Sequence, residues 1–383
     1  MKIYITGDNI ISSLGFTTEE NMDCMVKGIT GIQKIDGGYL SPESFPAALV
    51  DTKKLTGIFG NIANPTDFTR LEQMMILSVK QAVETSKIDL QNPRSLLIIS
   101  TTKGNVDLLE KEKITVFPAN RVYLWGLADL IKTYFNLSNS PLVVSNACIS
   151  GLLAIEVGAR LIRSGQYDDV ALVGADILTP FVVSGFQSFK SLSPEPCKPY
   201  DASREGLSLG EACATIILSS QKKLLEGQRA VEVTGGASSN DANHISGPSR
   251  TGDGLFIAIK HALSSANMVT GNIDFICAHG TATPYNDDME SKAVNLAGME
   301  EVPLNSLKGY IGHTLGAAGA IESIISIHSI LKGKLIKTLG FQTPGVAEKI
   351  NVISETRECE LNNCLKVASG FGGCNAAVIF SAV

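Results

Sequence analysis

Short apolar runs alternate along the chain with longer segments in which apolar residues recur at helical spacing. The predicted strands are residues 96–100, 142–145, 170–174, 214–219, 231–235, 275–278 and 376–380. The predicted helices are residues 69–87, 149–164, 254–267, 289–297 and 317–332. The first residues predict one more strand, which runs into a turn at Gly7. This alternation predicts an α/β fold.

Two segments of the sequence resemble each other. Residues 150–156 and 317–322 are both rich in small residues, both contain Ala-Ile-Glu, and both continue with Ile or Leu at helical spacing. Small residues let a helix pack closely against neighbouring backbone, so these segments predict two buried, equivalent helices in a duplicated architecture. Residues 193–210 predict a polar loop, and residues 226–229 predict a boundary between halves.

Composition narrows the class of protein. The chain has 383 residues, more than one hydrophobic core usually contains, so we expect two core-forming halves. Apolar residues make up 44% and charged residues 18% of it, which is typical of a packed α/β protein. The net charge of −6 does not indicate nucleic acid or a membrane as partner. Without a signal peptide or an apolar run of about 18 residues, we expect a cytoplasmic protein with no membrane span.

Eight cysteines are scattered along the chain without the C-x-x-C pairs of zinc or redox sites. We therefore expect no metal site and mostly buried, reduced thiols. Cys148 stands out because it follows an apolar run and precedes the first small-residue helix. A helix N-terminus lowers the pKa of a thiol and offers N–H groups to an oxyanion. The alternative is an inert buried cysteine at a strand–helix junction.

Two of the five histidines lie in glycine-rich turns at the ends of predicted elements. His279 follows an apolar strand, and His313 precedes the second small-residue helix. Strand ends of α/β proteins often carry the chemistry, although a histidine there more often only forms hydrogen bonds. We expect His244, His261 and His328 to be structural.

These residues occur in an order and spacing that resemble a known family. Cys148, His279, Lys308 and His313, with Gly-Phe-Gly-Gly-Cys-Asn at residues 370–375, resemble the elongating β-ketoacyl-acyl-carrier-protein synthases. The resemblance runs from about residue 3 to residue 380. It implies a thiolase-like, duplicated five-layer αβαβα fold. Residues 1–225 would carry Cys148, and residues 226–383 would carry His279, Lys308 and His313.

The resemblance also implies a reaction. An acyl chain held as a thioester on Cys148 would be extended by decarboxylative condensation with malonyl-acyl carrier protein. His279 and His313 would stabilise the enolate, and Lys308 would support them. The substrates would arrive on the phosphopantetheine arm of an acyl carrier protein, with no other cofactor, and the enzyme would be a homodimer.

Further roles are implied only by the resemblance. The backbone N–H groups of Cys148 and Phe371 would form the oxyanion hole. Phe371 and Gly372 would form a gate to the acyl channel. The supporting acidic residues would be Asp287, Glu290 and Glu322. The pantetheine arm and acyl chain would contact Thr281, Thr283, Phe186 and Phe371. The residues that would dock the carrier are Arg70 and Lys190. Asn146 departs from the family pattern, which more often has Ser or Thr there.

Two other functions remain open. One is the non-condensing, chain-length-determining partner of a heterodimeric ketosynthase, against which Cys148 argues because such subunits replace the nucleophile. The other is a thiolase-like coenzyme A acyltransferase, against which Lys308 and His313 argue in their glycine-rich context. The G-x-S-x-G sequence at residues 206–210 does not predict a serine hydrolase, because a polar loop precedes it and a strand-like run follows. Fatty acid, polyketide and polyene pathways are all compatible with this sequence.

Overall fold

The computed structural model describes the chain except for residues 111, 112, 114, 115, 226–228 and 243–246. His244, which the sequence analysis expects to be structural, lies outside the described residues. The predicted division into halves after residue 225 adjoins the undescribed residues 226–228, so the position of that boundary stays a prediction.

All of the predicted strands and helices are present, with shifted ends. The strands in the described residues are β1 (Tyr4–Ile11), β2 (Gln33–Ile35), β3 (Phe45–Ala48), β4 (Ser95–Ser100), β5 (Leu142–Val144), β6 (Asp169–Asp176), β7 (Leu209–Gly210), β8 (Ala212–Ser219), β9 (Val231–Asn240), β10 (Phe275–Cys277), β11 (Pro303–Asn305), β12 (Lys334–Leu335), β13 (Asn351–Val352), β14 (Arg357–Glu358), β15 (Asn363–Gly370) and β16 (Cys374–Ala382). The α-helices there are α1 (Thr18–Val26), α2 (Thr52–Phe59), α3 (Arg70–Ser86), α4 (Leu124–Phe135), α5 (Ser150–Arg163), α6 (Pro180–Ser188), α7 (Asp253–Ser265), α8 (Pro284–Leu296), α9 (Lys308–Ile311) and α10 (Ala318–Lys332).

Two element ends differ from the prediction for local reasons. The first strand does not turn at Gly7 but continues through a register shift, and a Cβ there would lie 2.6 Å from the carbonyl oxygen of Ala82. Gly7 therefore allows close packing against α3 rather than a turn. Helix α8 begins at Pro284 rather than at residue 289, because proline suits the first turn of a helix.

One sheet topology occurs twice. The central sheet has the order β13-β11-β10-β15-β16-β9-β1-β8-β6-β4-β5. In the N-terminal part, β5, β4 and β6 are parallel neighbours, and β6, β8 and β1 are antiparallel. In the C-terminal part, β11, β10 and β15 are parallel neighbours, and β15, β16 and β9 are antiparallel. The antiparallel pair Tyr4–Glu232 joins these two half-sheets, and the predicted duplication is confirmed.

Helices α5 and α10 lie between the half-sheets and pack against each other. A Cβ on Gly319 would lie 2.3 Å from the backbone nitrogen of Leu152, and one on Gly151 would lie 2.8 Å from that of Ala320. Glycine is therefore required for this approach. Helix α3 covers the N-terminal half-sheet, and α7 covers the C-terminal one. The layers follow the predicted αβαβα order.

Among the described residues, the segment Leu315–Lys332 is the one helical stretch long and apolar enough to cross a membrane. It contains α10, and 83% of it is buried within the protein. Its position between the two half-sheets accounts for its apolar character.

Candidate active site

Cys148 lies in the turn between β5 and α5. Ala147 has φ +45°, a left-handed conformation that non-glycine residues seldom adopt. The hydroxyl of Ser150 donates to the carbonyl of Ala147 (2.6 Å) and accepts the N–H of Asn146 (2.8 Å). These bonds hold the turn and place the thiol at the start of α5, where Cys148 is 7% exposed.

Burial dominates the pKa of Cys148. Removal from water raises the pKa of the thiol to about 11. The ammonium of Lys308 lowers it, Cys374 raises it, and the backbone N–H of Phe371, which donates toward the thiol, lowers it. The expectation of a lowered pKa for Cys148 is therefore wrong, because burial raises this pKa by more than Lys308 and the N–H of Phe371 lower it.

Two buried carboxylates of α8 bind the backbone of the turn that carries His279. Glu290 accepts the N–H groups of His279 (2.7 Å) and Gly280 (2.6 Å), and Asp287 accepts that of Thr281 (3.0 Å). Burial and the charge of Glu290 raise the pKa of Asp287 to about 7. Both acids thus support the turn through its backbone.

Hydrogen bonds set the tautomers of both site histidines. The Nδ1 atom of His313 accepts the N–H of Leu315 (3.1 Å), so the neutral ring carries its proton on Nε2. The ammonium of Lys308 lies 3.3 Å from Nδ1 of His279, which gives His279 the same tautomer. Burial and the charge of Lys308 hold the pKa of each imidazole well below its usual value. Both rings are therefore neutral Nε2–H donors.

The structure brings the predicted nucleophile and both histidines together. One donor atom each from Cys148, His279 and His313 lie within 4.8 Å of one another, and the two rings meet edge to face with centroids 5.1 Å apart. A thiol and two imidazoles could also bind zinc. The charges of Lys308 and Lys366 act on the same rings and disfavour a further cation.

A buried chain of charges lies behind His279. The ammonium of Lys308 is 2.6 Å from Oε1 of Glu322 and 2.5 Å from the carbonyl oxygen of His279. A second ammonium, that of Lys366, is 2.6 Å from Oε2 of Glu322. The sequence analysis missed Lys366. Its signal is a single charge within the apolar strand β15, where a buried ion needs a partner.

A cavity of about 430 Å³ opens at the surface and reaches this cluster. Thr281 and Thr283 line it, and their hydroxyls share a 2.8 Å hydrogen bond. The ring of Phe371 stacks on Phe186 with centroids 6.0 Å apart, so the predicted gate residue lies beside the predicted acyl-channel residue. Gly372, which follows, is exposed and has φ +86°, a conformation that favours glycine.

The two residues expected to dock a carrier differ from each other. The guanidinium of Arg70 binds Glu211 (2.6 Å) and the carbonyl of Val50 (2.8 Å) and is mostly buried. The charge of Arg70 is therefore already paired within the protein, and its docking role stays a prediction. The partner Glu211 is 141 residues away in sequence, so local pattern gives no indication of it. Lys190 is exposed and lines the cavity mouth.

Comparison with known proteins gives consistent matches over the whole chain. The N-terminal domain of beta-ketoacyl synthase matches residues 1–224, and the C-terminal domain of beta-ketoacyl synthase matches residues 230–342. The 3-oxoacyl-[acyl-carrier-protein] synthase 2 of Vibrio harveyi is 27% identical over 421 residues, covering 100% of this chain and 99% of that protein. Its counterpart in Coxiella burnetii is 26% identical over 410 residues, covering 100% and 99%.

A solved structure described as the ishigamide ketosynthase/chain length factor has a TM-score of 0.90 and 28% identity, and covers 99% of this chain and 98% of that chain. The family matches span far more than half of the residues, and the thiolase-like architecture agrees with the solved ketosynthases. The chain therefore belongs to the β-ketoacyl synthase family of condensing enzymes.

Proposed function

We propose that this protein is a 3-oxoacyl-[acyl-carrier-protein] synthase whose catalytic residues are Cys148, His279 and His313. The observation that carries the proposal is one thiol beside two neutral Nε2–H imidazoles, all within 4.8 Å. A thiol supplies the nucleophile for acyl transfer, and two neutral N–H donors stabilise a developing oxyanion.

In the first half-reaction, the sulfur of Cys148 attacks the thioester carbonyl of an acyl chain on the carrier. The bond from that carbonyl to the pantetheine sulfur breaks, and the proton of the Cys148 thiol ends on the departing sulfur. Because this exchange consumes no net proton, a thiol with a raised pKa can take part without a permanent thiolate. The N–H groups of Cys148 and Phe371 would hold the tetrahedral oxyanion.

In the second half-reaction, the thioester oxygen of the malonyl group accepts hydrogen bonds from His279 and His313. The carbon–carbon bond to the carboxylate breaks and carbon dioxide leaves. The electron pair of that bond stays on the remaining carbon and forms an enolate. The enolate carbon attacks the acyl carbonyl, the bond from that carbonyl to the sulfur of Cys148 breaks, and the departing sulfur takes a proton from water. The lowered pKa of each histidine favours this role, because a neutral donor does not protonate the enolate carbon.

We also propose that an acyl carrier protein delivers the substrates and that a second thiolase-fold chain binds beside the site. Thr281 and Thr283 would receive the pantetheine arm, and Lys190 at the mouth would face the acidic carrier.

Strand β5 forms one end of the sheet and leads directly to Cys148, so a homodimer formed along this edge would adjoin the acyl chain. All eight cysteines are free, which supports a reducing cytoplasm.

The second candidate is the non-condensing partner of a ketosynthase. It is favoured by the solved relative described as a ketosynthase/chain length factor, and opposed by the thiol and histidine cluster. Intact-mass detection of acyl transfer to Cys148 distinguishes the two functions, since a subunit without condensing activity forms no acyl-enzyme.

The half-reactions separate the roles of the residues. Cys148→Ala should abolish acyl loading and chain extension but retain release of carbon dioxide from malonyl-acyl carrier protein. His279→Ala or His313→Ala should keep loading of Cys148 and reduce decarboxylation by at least about 10²-fold, the usual cost of losing one oxyanion donor. Radiolabelled carbon dioxide release and intact mass would be measured on the same samples. Full condensation by Cys148→Ala, or unreduced decarboxylation in both histidine variants, would contradict the proposed roles.

A further inference from the structure

Lys366 is a buried charge that the mechanism above does not use. It lies in β15, is 0% exposed, and pairs in the sheet with Cys277 at the end of β10. Its ammonium lies 2.6 Å from Oε2 of Glu322, while Lys308 lies 2.6 Å from Oε1. Glu322 therefore bridges two ammonium groups, of which only Lys308 reaches a histidine side chain.

The remaining contacts of Lys366 are with backbone carbonyls, two of which lie just before His279. The ammonium donates to the carbonyl oxygens of Ala278 (3.1 Å), Cys277 (3.3 Å) and Val367 (2.7 Å). Lys308 binds the next carbonyl along, that of His279 itself. The two lysines together thus hold three successive carbonyls from the end of β10 into the turn.

Packing alone does not account for a second lysine here. Lys308 and Glu322 already form a one-to-one ion pair, and an apolar side chain in β15 would avoid the desolvation of another charge. Burial by itself lowers the pKa of Lys366, yet Cys277, Glu322 and Glu290 beside it raise that pKa above its usual value. The side chain is therefore a permanent buried cation.

Its charge acts on both site histidines. Lys308 and Lys366 each lower the pKa of His279 and of His313. Further titratable groups around these rings are Cys148 within 4.8 Å, Glu322 between the lysines, Glu290, which binds the backbone N–H of His279, and Glu205, which lines the same cavity. Each ring is also the neighbour of the other, with centroids 5.1 Å apart. If Lys308 were the one lysine beside Glu322, the negative charge of Glu322 would offset its positive charge. The imidazoles of His279 and His313 would then face no net positive charge.

We propose that Lys366 is a positioning residue for the condensation reaction: it binds the second oxygen of Glu322 and the carbonyls before His279, and so keeps both imidazoles neutral and oriented as Nε2–H donors. This inference rests on the proposed function of the site. Lys366 itself touches no substrate, because Glu322 and β10 separate it from the cavity lining.

The test is the pH dependence of carbon dioxide release from malonyl-acyl carrier protein. In Lys366→Met the side chain keeps its length but loses its charge, so both imidazoles should become more basic. On the acidic side of the pH profile of kcat, the pH at which kcat falls (the acidic limb) should rise by about one unit. The rate at the acidic end would then be about tenfold lower, while KM stays unchanged. Lys366→Arg keeps the charge and should keep the limb near that of the wild type.

A matched control separates charge from packing. Val378 pairs with Lys366 on the neighbouring strand β16 and is equally buried. Val378→Ala should lower the melting temperature yet leave the acidic limb in place. If Lys366→Met leaves the limb unchanged, or Val378→Ala shifts it as far, the inference is overturned.

A measurement on the unaltered protein tests the inference even if Lys366→Met fails to fold. With only five histidines, nitrogen-15 spectra can follow each ring, assigned through His279→Ala and His313→Ala. Both rings should remain neutral Nε2–H tautomers as the pH falls through about 6.5, where a free imidazole takes up a proton. Protonation of either ring between pH 6 and 8 would overturn the inference. These spectra need no turnover, so absence of any carbon dioxide release would instead contradict the proposed function.

Discussion

The thiol of Cys148 is subject to two opposing effects. It lies two residues before α5, whose N-terminus favours a thiolate, but burial raises its pKa to about 11. At pH 7 only about one thiol in 10⁴ would then be ionised. Burial therefore favours the protonated thiol, and the proposed attack would depend on a bound thioester whose leaving sulfur accepts the proton.

This balance predicts how Cys148 reacts with iodoacetamide. Because the thiolate is the reactive form, the rate should rise about tenfold for each pH unit from 7 to 10. Peptide mass spectrometry would follow every cysteine, with the more exposed Cys24 as internal reference. A rate that levels off between pH 7 and 9 would show instead that the helix terminus outweighs burial.

At this scale, sequence reasoning found the residues whose neighbours are local. Cys148, His279 and His313 each end a strand or precede a helix, and the resemblance supplied their common purpose. Lys366 was missed because its significance depends on Glu322, which is distant in sequence and reaches it only through the packing of α10 on β15. The pairing of Arg70 was missed for the same reason, since its partner Glu211 lies between β7 and β8, 141 residues away in sequence.

At the scale of elements, the crossing of α5 and α10 fixes the geometry of the site. Helix α5 starts two residues after Cys148, and α10 follows the turn of His313, so a shift of either helix moves a reacting group. The repeated small residues were visible in the sequence and correctly predicted two buried, equivalent helices. Their mutual contact at Gly151 and Gly319 was not predictable, because it depends on how the half-sheets face each other.

Substitution of Gly319 tests this crossing. Gly319→Ala would put a methyl group 2.3 Å from backbone of α5, so we expect a loss of about 1–3 kcal/mol of unfolding free energy and slower condensation. Gly57→Ala in α2 is the matched control, because it meets no atom within 4 Å and should stabilise the helix by about 0.5–1 kcal/mol. Urea denaturation measures both. Equal stability of the two variants would mean that the helices do not need this close approach.

At the scale of the whole molecule, two copies of one topology share one reaction. The N-terminal half-sheet leads to Cys148, the proposed nucleophile, and the C-terminal one leads to His279 and His313, the proposed donors. The equivalent helices α5 and α10 follow Cys148 and His313 along the chain, and these two residues line the same cavity. Neither half contains both the nucleophile and the donors, and this explains why the two are joined through β1 and β9.

The two ends of the central sheet differ, and this difference predicts how the molecule assembles. Strand β5 is an edge strand that carries the exposed Leu142, and α4, which packs on β5, carries the exposed Trp125. Unpaired edge strands with apolar side chains favour pairing with another chain. If a second copy binds here, the unaltered protein should sediment at twice 40.6 kDa, and Leu142→Lys should raise the dissociation constant of the dimer at least about tenfold.

The control for this prediction is Ile257→Lys on α7, in the C-terminal half. The side chain of Ile257 is apolar and is exposed to the same degree as that of Leu142, 41% against 40%. Condensation should fall with the dimer in Leu142→Lys and recover at higher protein concentration. A wild-type protein that stays monomeric at every concentration would contradict the homodimer, and pairing only with a related chain would establish the heterodimer in its place.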